Sequence, residues 1–251
     1  MSIPNLDQII ETMVHGFAFA RSRTHPYLVL KTGKVCVLRD GPRKPSEDVR
    51  NSEIFAIEDG AAQLIALSKS MTSERHRVCI AHDRLDRNAE IEQLFKSNRF
   101  RYAAGEALFF SPTSKKPSEK PKWNVKRVTT EELERAVAKA NRRRPGDFSK
   151  LKDDDRPDRQ FVEMEGDRAI GWVTSIRTSD QFAWVANLQV DEEFRRKGIG
   201  RALMLALLKD DAKRGIKFSI LAASKVGSTL YPQVGYTQAG LLQVFVPPRQ
   251  P

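Results

Sequence analysis

Residues 188–201 read Leu-Gln-Val-Asp-Glu-Glu-Phe-Arg-Arg-Lys-Gly-Ile-Gly-Arg, and the fold is decided there. Residues 182–190 form an apolar-rich run that reads as a strand. A short acidic turn follows at Asp191, Glu192 and Glu193. Next comes Arg195-Arg196-Lys197-Gly198-Ile199-Gly200, and then a helix expected over residues 198–214, apolar from Ala202 to Leu208 and ended by Gly215. Glycines remove Cβ atoms, so backbone N–H groups can crowd around one point. A helix starting at that point adds its unsatisfied N–H groups and the positive end of its dipole. Arg195, Arg196, Lys197 and Arg201 add full charges. The stretch therefore reads as an anion site, and a pyrophosphate would fit it. Two common phosphate motifs do not apply. The dinucleotide fingerprint needs a third glycine where Leu203 stands, and a P-loop needs Lys-Ser/Thr after its glycine.

Working outward, the C-terminal half alternates strands and helices. Strands are expected at residues 123–128, 160–165, 169–176, 218–222 and 241–246, with Gly166-Asp167 as a hairpin turn. Thr129-Thr130-Glu131-Glu132 opens a helix with Leu133, Ala136, Val137 and Ala140 on one face, and residues 226–234 read as a short helix. Residues 111–122, SPTSKKPSEKPK, are rich in Pro, Lys and Ser and read as a linker. The expected division is 1–111, a linker at 112–122, and 123–251. The first half follows a related plan: a helix at 6–20, a hairpin at 28–31 and 35–39, helices at 60–68 and 89–97, and strands at 77–81 and 107–110. The whole reads as an α/β protein with a mixed sheet and helices on its faces.

Composition narrows the function. The chain has 251 residues, 40% hydrophobic and 30% charged, which suits a globular protein rather than a disordered one. No apolar run approaches the ~18 residues of a membrane span, and the first ten residues lack the pattern of a secretory signal. A cytoplasmic location is expected. Two cysteines, Cys36 and Cys79, without a CxxC, exclude a disulfide framework or a cysteine-rich zinc site and read as small buried apolar residues. His15, His25, His76 and His82 all fall in the first half and read as structural; no metal constellation is visible. The net charge of +11 invites a nucleic-acid reading. The basic excess is nevertheless even, +5 over residues 1–122 and +6 over 123–251, and no aromatic-basic RNA motif accompanies it.

The residues around the anion loop resemble those of the GNAT (GCN5-related) N-acetyltransferases. That family's pyrophosphate loop is (Arg/Gln)-x-x-Gly-x-(Gly/Ala) after an apolar strand ending in Val, and residues 195–200 match each specified place. About thirty residues later the family has Leu-Tyr, then Gly and an aromatic; here Leu230, Tyr231, Gly235 and Tyr236 stand there. The resemblance covers roughly residues 123–251. It implies a GNAT fold and acetyl transfer from acetyl-CoA, as cosubstrate, to a primary amine on a small molecule or peptide. It implies a cofactor-binding set of Leu188, Gln189 and Val190, of Arg195, Arg196, Lys197, Gly198, Ile199, Gly200 and Arg201, and of Ser224, which stands where the family often has Asn. The backbone of Leu188 and Val190 would hold the pantetheine and the acetyl carbonyl. Tyr231 would be the general acid for the departing thiolate. Glu163, Glu165, Asp180 and Asn187 lie near the implied cleft, and the general base stays open among them and water. A CoA-binding regulatory protein without turnover and a basic nucleic-acid-binding module are the alternatives.

The sequence also echoes itself. Leu94-Phe95 and Phe100 align without a gap on Leu230-Tyr231 and Tyr236. A short apolar strand precedes each stretch, and a glycine and another strand follow. A GNAT-like first domain without chemistry is therefore expected, since Phe95 has no proton to give and no basic glycine loop precedes its strand.

Overall fold

The computed structural model describes residues 3–22, 25–42, 51–71, 75–114, 122–153, 155–224 and 227–248. Residues 115–121, most of the expected linker, lie outside them. The chain forms two compact units, Met1–Phe110 with Ala222–Ser228 and Gln238–Pro251, and Ser111–Leu221 with Thr229–Thr237. The end of the chain thus belongs with the first unit.

In the first unit, helix α1 (Leu6–Arg21) precedes the strands β1 (Tyr27–Thr32), β2 (Val35–Asp40) and β3 (Ser52–Ile57). Then come α2 (Ala61–Ser70), β4 (His76–His82), α3 (Asn88–Ser97) and β5 (Arg101–Pro112). A capping box between Asn5 and Gln8 starts α1. The antiparallel run β1–β2–β3 is followed by a parallel step from β3 to β4, with α2 as the crossover. The core on the α2 face gathers Val35, Ile54, Leu64, Ile80, Phe95 and Phe245. Phe95 is fully buried, stacked on Phe245 at 4.3 Å and edge-on to Phe100 at 5.5 Å. Strand β3 is not among the strands expected from the sequence, although Ile54–Ile57 form a short apolar run; the Glu53 carboxylate just before it pairs with Arg21. Cys79 is buried as expected, whereas Cys36 is only half-buried.

In the second unit, β6 (Lys126–Arg127), α4 (Glu131–Ala140), β7 (Asp158–Glu165), β8 (Arg168–Arg177) and β9 (Phe182–Val190) lead to α5 (Ile199–Lys213) and β10 (Phe218–Ala223). The sheet order is β10-β9-β8-β7-β6. Again an antiparallel run, β7–β8–β9, is followed by a parallel step, β9 to β10, with α5 as the crossover. Helix α4 covers one face, over Val128, Val162 and Trp172. Helix α5 covers the other, its Asp211 bonded to Ser175 of β8. The last strand, β11 (Thr237–Val246), pairs antiparallel with β4 from Leu241↔His82 to Phe245↔Val78.

Three expectations need correction. The strand expected at 123–128 shrinks to the two residues of β6, Lys126 and Arg127, which pair with Val162 and Phe161 of β7, followed by a bond from the Val128 N–H to the Gln160 carbonyl at 2.8 Å. The helix expected at 226–234 is a pair of 3₁₀ turns, Gly227–Thr229 and Tyr231–Val234, because Pro232 and the left-handed Gly235 (φ 95°) leave no room for α-helical turns. The start of the expected linker is not solvated: Ser111 and Thr113 are buried, and the Thr113 N–H donates to the Lys217 carbonyl at 3.0 Å.

Asp211 is fully buried, with one oxygen accepting from the Ser175 hydroxyl at 2.7 Å and the other without a partner. Burial outweighs that hydrogen bond, and the nearby Asp210 adds to it, so the carboxyl is pushed up to about 7. A group whose folded pKa is raised contributes most below its unfolded value, about 3.9, and loses that contribution as pH rises through the folded one. The urea midpoint of the wild type should therefore fall between about pH 4 and pH 8 relative to that of Asp211→Asn, by a free energy on the order of a few kcal/mol. Parallel profiles for the two proteins would contradict it.

Candidate functional site

The parallel ladder between β10 and β9 holds only three pairs, ending at Ile220↔Trp184, while β9 runs on to Val190. Beyond that point β9 is more exposed. Its register with β8 also slips between Trp172 and Thr174, where Asn187 takes a left-handed φ of 55°, a conformation Asn tolerates better than most residues. Past the bulge, the Asp191 N–H donates to the Ile170 carbonyl at 2.9 Å. Antiparallel alternation then turns the N–H and C=O of Val190 away from β8, and those of Leu188 the same way. Gln189 lies opposite Trp172 and is tied into the β8 ladder. The open edge of β9 thus presents backbone groups of Leu188 and Val190.

The loop that follows has three anchors. Arg168 pairs with Asp191 (2.7 Å) and Glu193 (2.6 Å), so the acidic turn is held rather than merely solvated. The Arg195 Nε donates to the Val190 carbonyl at 3.1 Å. Phe194 is buried, and the Lys197 ammonium lies 4.9 Å from its ring centre. Arg195, Arg196 and Lys197 are exposed, and Arg196 and Lys197 have no acidic partner among the described residues. Arg196 (φ 64°) and Gly198 (φ 87°) are both left-handed. For Arg196 that conformation costs about 1–2 kcal/mol. Gly198 is the N-cap of α5, and no side chain caps the helix. Its first N–H groups therefore have no intrahelical acceptor and add their partial positive charge to the loop.

Gly200 locates the parts relative to one another. A Cβ there would lie 3.3 Å from Leu230 Cδ2 and 3.8 Å from Val190 Cγ2, so the strand end, the helix start and the turn bearing Tyr231 meet at one place. Tyr231 is 8% exposed and edge-on to Tyr236, with ring centres 5.8 Å apart. Burial raises its hydroxyl above the ordinary tyrosine range, which keeps the proton on. Tyr236 is tied to the Ser219 hydroxyl at 2.7 Å. Ser224 groups with the first unit, and its Oγ accepts from the Gly227 N–H at 3.4 Å.

The four base candidates separate. Glu165, Asp180 and Asn187 are exposed. Glu163 is buried, its Oε2 has no partner among the described residues, and burial raises its pKa. It lies opposite Gly171, which lies opposite Val190. A Cβ on Gly171 would come within 2.8 Å of Ile199 Cγ2, so this row faces the first turn of α5. Gly171 is a site residue the sequence reading overlooked, although a glycine inside an apolar strand signals a close approach. Trp123 is another, and no motif marks it. Among the described residues, no group of His, Cys, Asp or Glu gathers that could hold a metal, and no helix is long and apolar enough to cross a membrane.

The left-handed Gly198 has room for a side chain, its nearest neighbour being Trp123 Nε1 at 3.9 Å from a Cβ position. Gly198→Ala should nevertheless lower stability by about 1–2 kcal/mol through backbone strain alone, read from the urea midpoint at constant m-value. An unchanged midpoint would show that the loop relaxes out of this conformation.

With this geometry in hand, residues 157–238 match the family model of an acetyltransferase (GNAT) domain. No curated protein sequence matches the chain at a significant level. Among solved structures, a GCN5-related N-acetyltransferase from Kribbella flavida is similar at a TM-score of 0.64 and 17% identity, over 96% of each chain. One from Sphaerobacter thermophilus gives 0.57 and 15%, over 88% of this chain and 83% of that one. A tandem GNAT protein from the clavulanic acid biosynthesis pathway gives 0.50 and 10%, over 98% and 97%. Strand register, glycine loop and family match agree: residues 157–238 match the GNAT acetyltransferase domain model, in a chain whose fold is that of GNAT proteins.

Proposed function

We propose that this protein transfers an acetyl group from acetyl-CoA to a primary amine. The observation that carries this reading is the meeting, at Gly200, of the open end of β9, the uncapped start of α5 and the turn bearing Tyr231. Acetyl-CoA would supply a thioester, whose carbonyl carbon takes the amine. Backbone N–H groups of residues 198–200 would hold its pyrophosphate, with Arg195, Arg196, Lys197 and Arg201 adding charge. The outward N–H of Val190 is available to the acetyl oxygen, where negative charge grows as the amine attacks. The Tyr231 hydroxyl, kept protonated by burial, would pass its proton to the leaving sulfur.

The first unit supports a GNAT-like domain that holds no donor. It has the same strand and crossover connectivity, but β3 and β4 pair through all six steps from Ser52↔His76 to Ile57↔Ala81. Its crossover loop carries Glu58 and Asp59, paired with Arg87 and Lys34, where the second unit has its basic cluster. The place of Tyr231 is taken by Phe95, sealed in the core.

Calorimetry on the full chain should give one acetyl-CoA per chain. Gly200→Val, whose side chain would press on Leu230 and Val190, should weaken binding at least tenfold, about 1.4 kcal/mol. A stoichiometry of two, or unchanged affinity in the folded variant, would contradict the assignment. Tyr231→Phe should lower kcat by roughly 10²–10⁴ with little effect on acetyl-CoA affinity, followed by release of free thiol with the best amine found in an acceptor screen. Wild-type turnover by that variant would remove the general-acid role, and binding without turnover of any amine would favour a CoA-binding regulator.

A further inference from the structure

Trp123 lies well before the residues that match the acetyltransferase family and outside any strand. It is half-buried, and its indole Nε1 donates to the Lys197 carbonyl at 2.8 Å. That carbonyl belongs to the peptide linking Lys197 to Gly198, between the left-handed residues Arg196 and Gly198. A peptide unit is planar and trans, so its C=O and N–H point in opposite directions. Holding the Lys197 oxygen on one side of the loop therefore aims the Gly198 N–H at the other. No acceptor for that N–H is found among the described residues. A glycine peptide is the one most free to flip, because a residue without Cβ has both hands of backbone open to it. The indole removes that freedom where the anion-binding groups must converge.

We propose that Trp123 is a positioning residue for the donor's pyrophosphate, acting through the Lys197–Gly198 peptide. The proposal rests on the acetyl-CoA reading above and adds a residue that the loop motif does not contain. It also limits the effect of Trp123 to donors that carry a pyrophosphate. Acetyl-pantetheine has the same thioester and arm but no phosphate, so its use should not depend on the indole N–H.

Trp123→Phe keeps a ring and removes the donor. It should raise the Kd and KM for acetyl-CoA three- to tenfold, the range expected from one neutral hydrogen bond, with kcat and the amine KM unchanged. KM for acetyl-pantetheine should be the same in both proteins. A second measurement uses the unmutated protein: of its three indole N–H resonances, the one absent from Trp123→Phe should shift on titration with acetyl-CoA and stay in place with acetyl-pantetheine. Equal losses with both donors would mean general damage to the fold and overturn the proposal. So would an unshifted resonance, or unchanged acetyl-CoA affinity in the variant. A wild type that binds no acetyl-CoA would overturn the donor assignment itself, which is a separate result from a wild type that binds it and a variant that matches it.

Discussion

The parting of two parallel strands governs the second unit. Strands β9 and β10 share three pairs and then separate, which leaves backbone N–H and C=O groups at the end of β9 without a ladder. Such groups are costly unless water or a ligand satisfies them. The bulge at Asn187 sets which of them face the gap, and the Arg195 guanidinium already satisfies one, the Val190 carbonyl. An opening of this kind suits a ligand with amide groups along an extended arm, because each strand group can pair with one of the ligand's.

What keeps the opening in shape is packing on the α5 face. Gly171 lets Ile199 and Leu203 come down onto β8, which sets the height at which α5 begins and so the position of its free N–H groups. Farther along, Asp210 of the same helix is gripped by Arg159 of β7, with contacts of 3.1 and 2.9 Å, and Asp211 by Ser175 of β8. These polar contacts under a helix are not a favourable way to gain stability, since burial works against the charged form of Asp211. They do hold the helix to the sheet at a defined rotation. The left-handed pair Arg196 and Gly198 then turns the chain from strand to helix within a few residues, and the cost of that conformation falls on a loop anchored by Arg168, Phe194 and Trp123.

The first unit repeats the same connectivity with the opposite outcome. Its parallel pair is fully zipped, its crossover loop is acidic and internally neutralised, and Phe95, which aligns with Tyr231 in the sequence echo, is stacked on Phe245 in the core. Each difference follows from side chains and strand pairs that satisfy one another at the places where the second unit leaves groups open. One topology therefore accommodates both a parted and a fully paired parallel step.

By itself the sequence determined the strand over 182–190 and the helix after Gly198, because glycines and helical or strand periodicity act over a few residues. It also determined the basic, glycine-bearing character of the loop, since charge and missing Cβ atoms are properties of residues 195–201 alone, and it carried the echo between Leu94-Phe95 and Leu230-Tyr231. Tertiary structure decided what depends on partners far along the chain. Where β9 leaves β10 is set by pairing across residues 182–220. That Gly171 makes room for α5 is visible only once the helix lies on β8. That Ser111 and Thr113 are buried depends on the carbonyls of Gly235 and Lys217. The assignment of β11 to the first unit depends on pairing with β4, more than 150 residues earlier. Trp123 took on meaning only when its N–H met the Lys197 carbonyl, 74 residues away, because a hydrogen bond between distant residues leaves no periodic trace in the sequence.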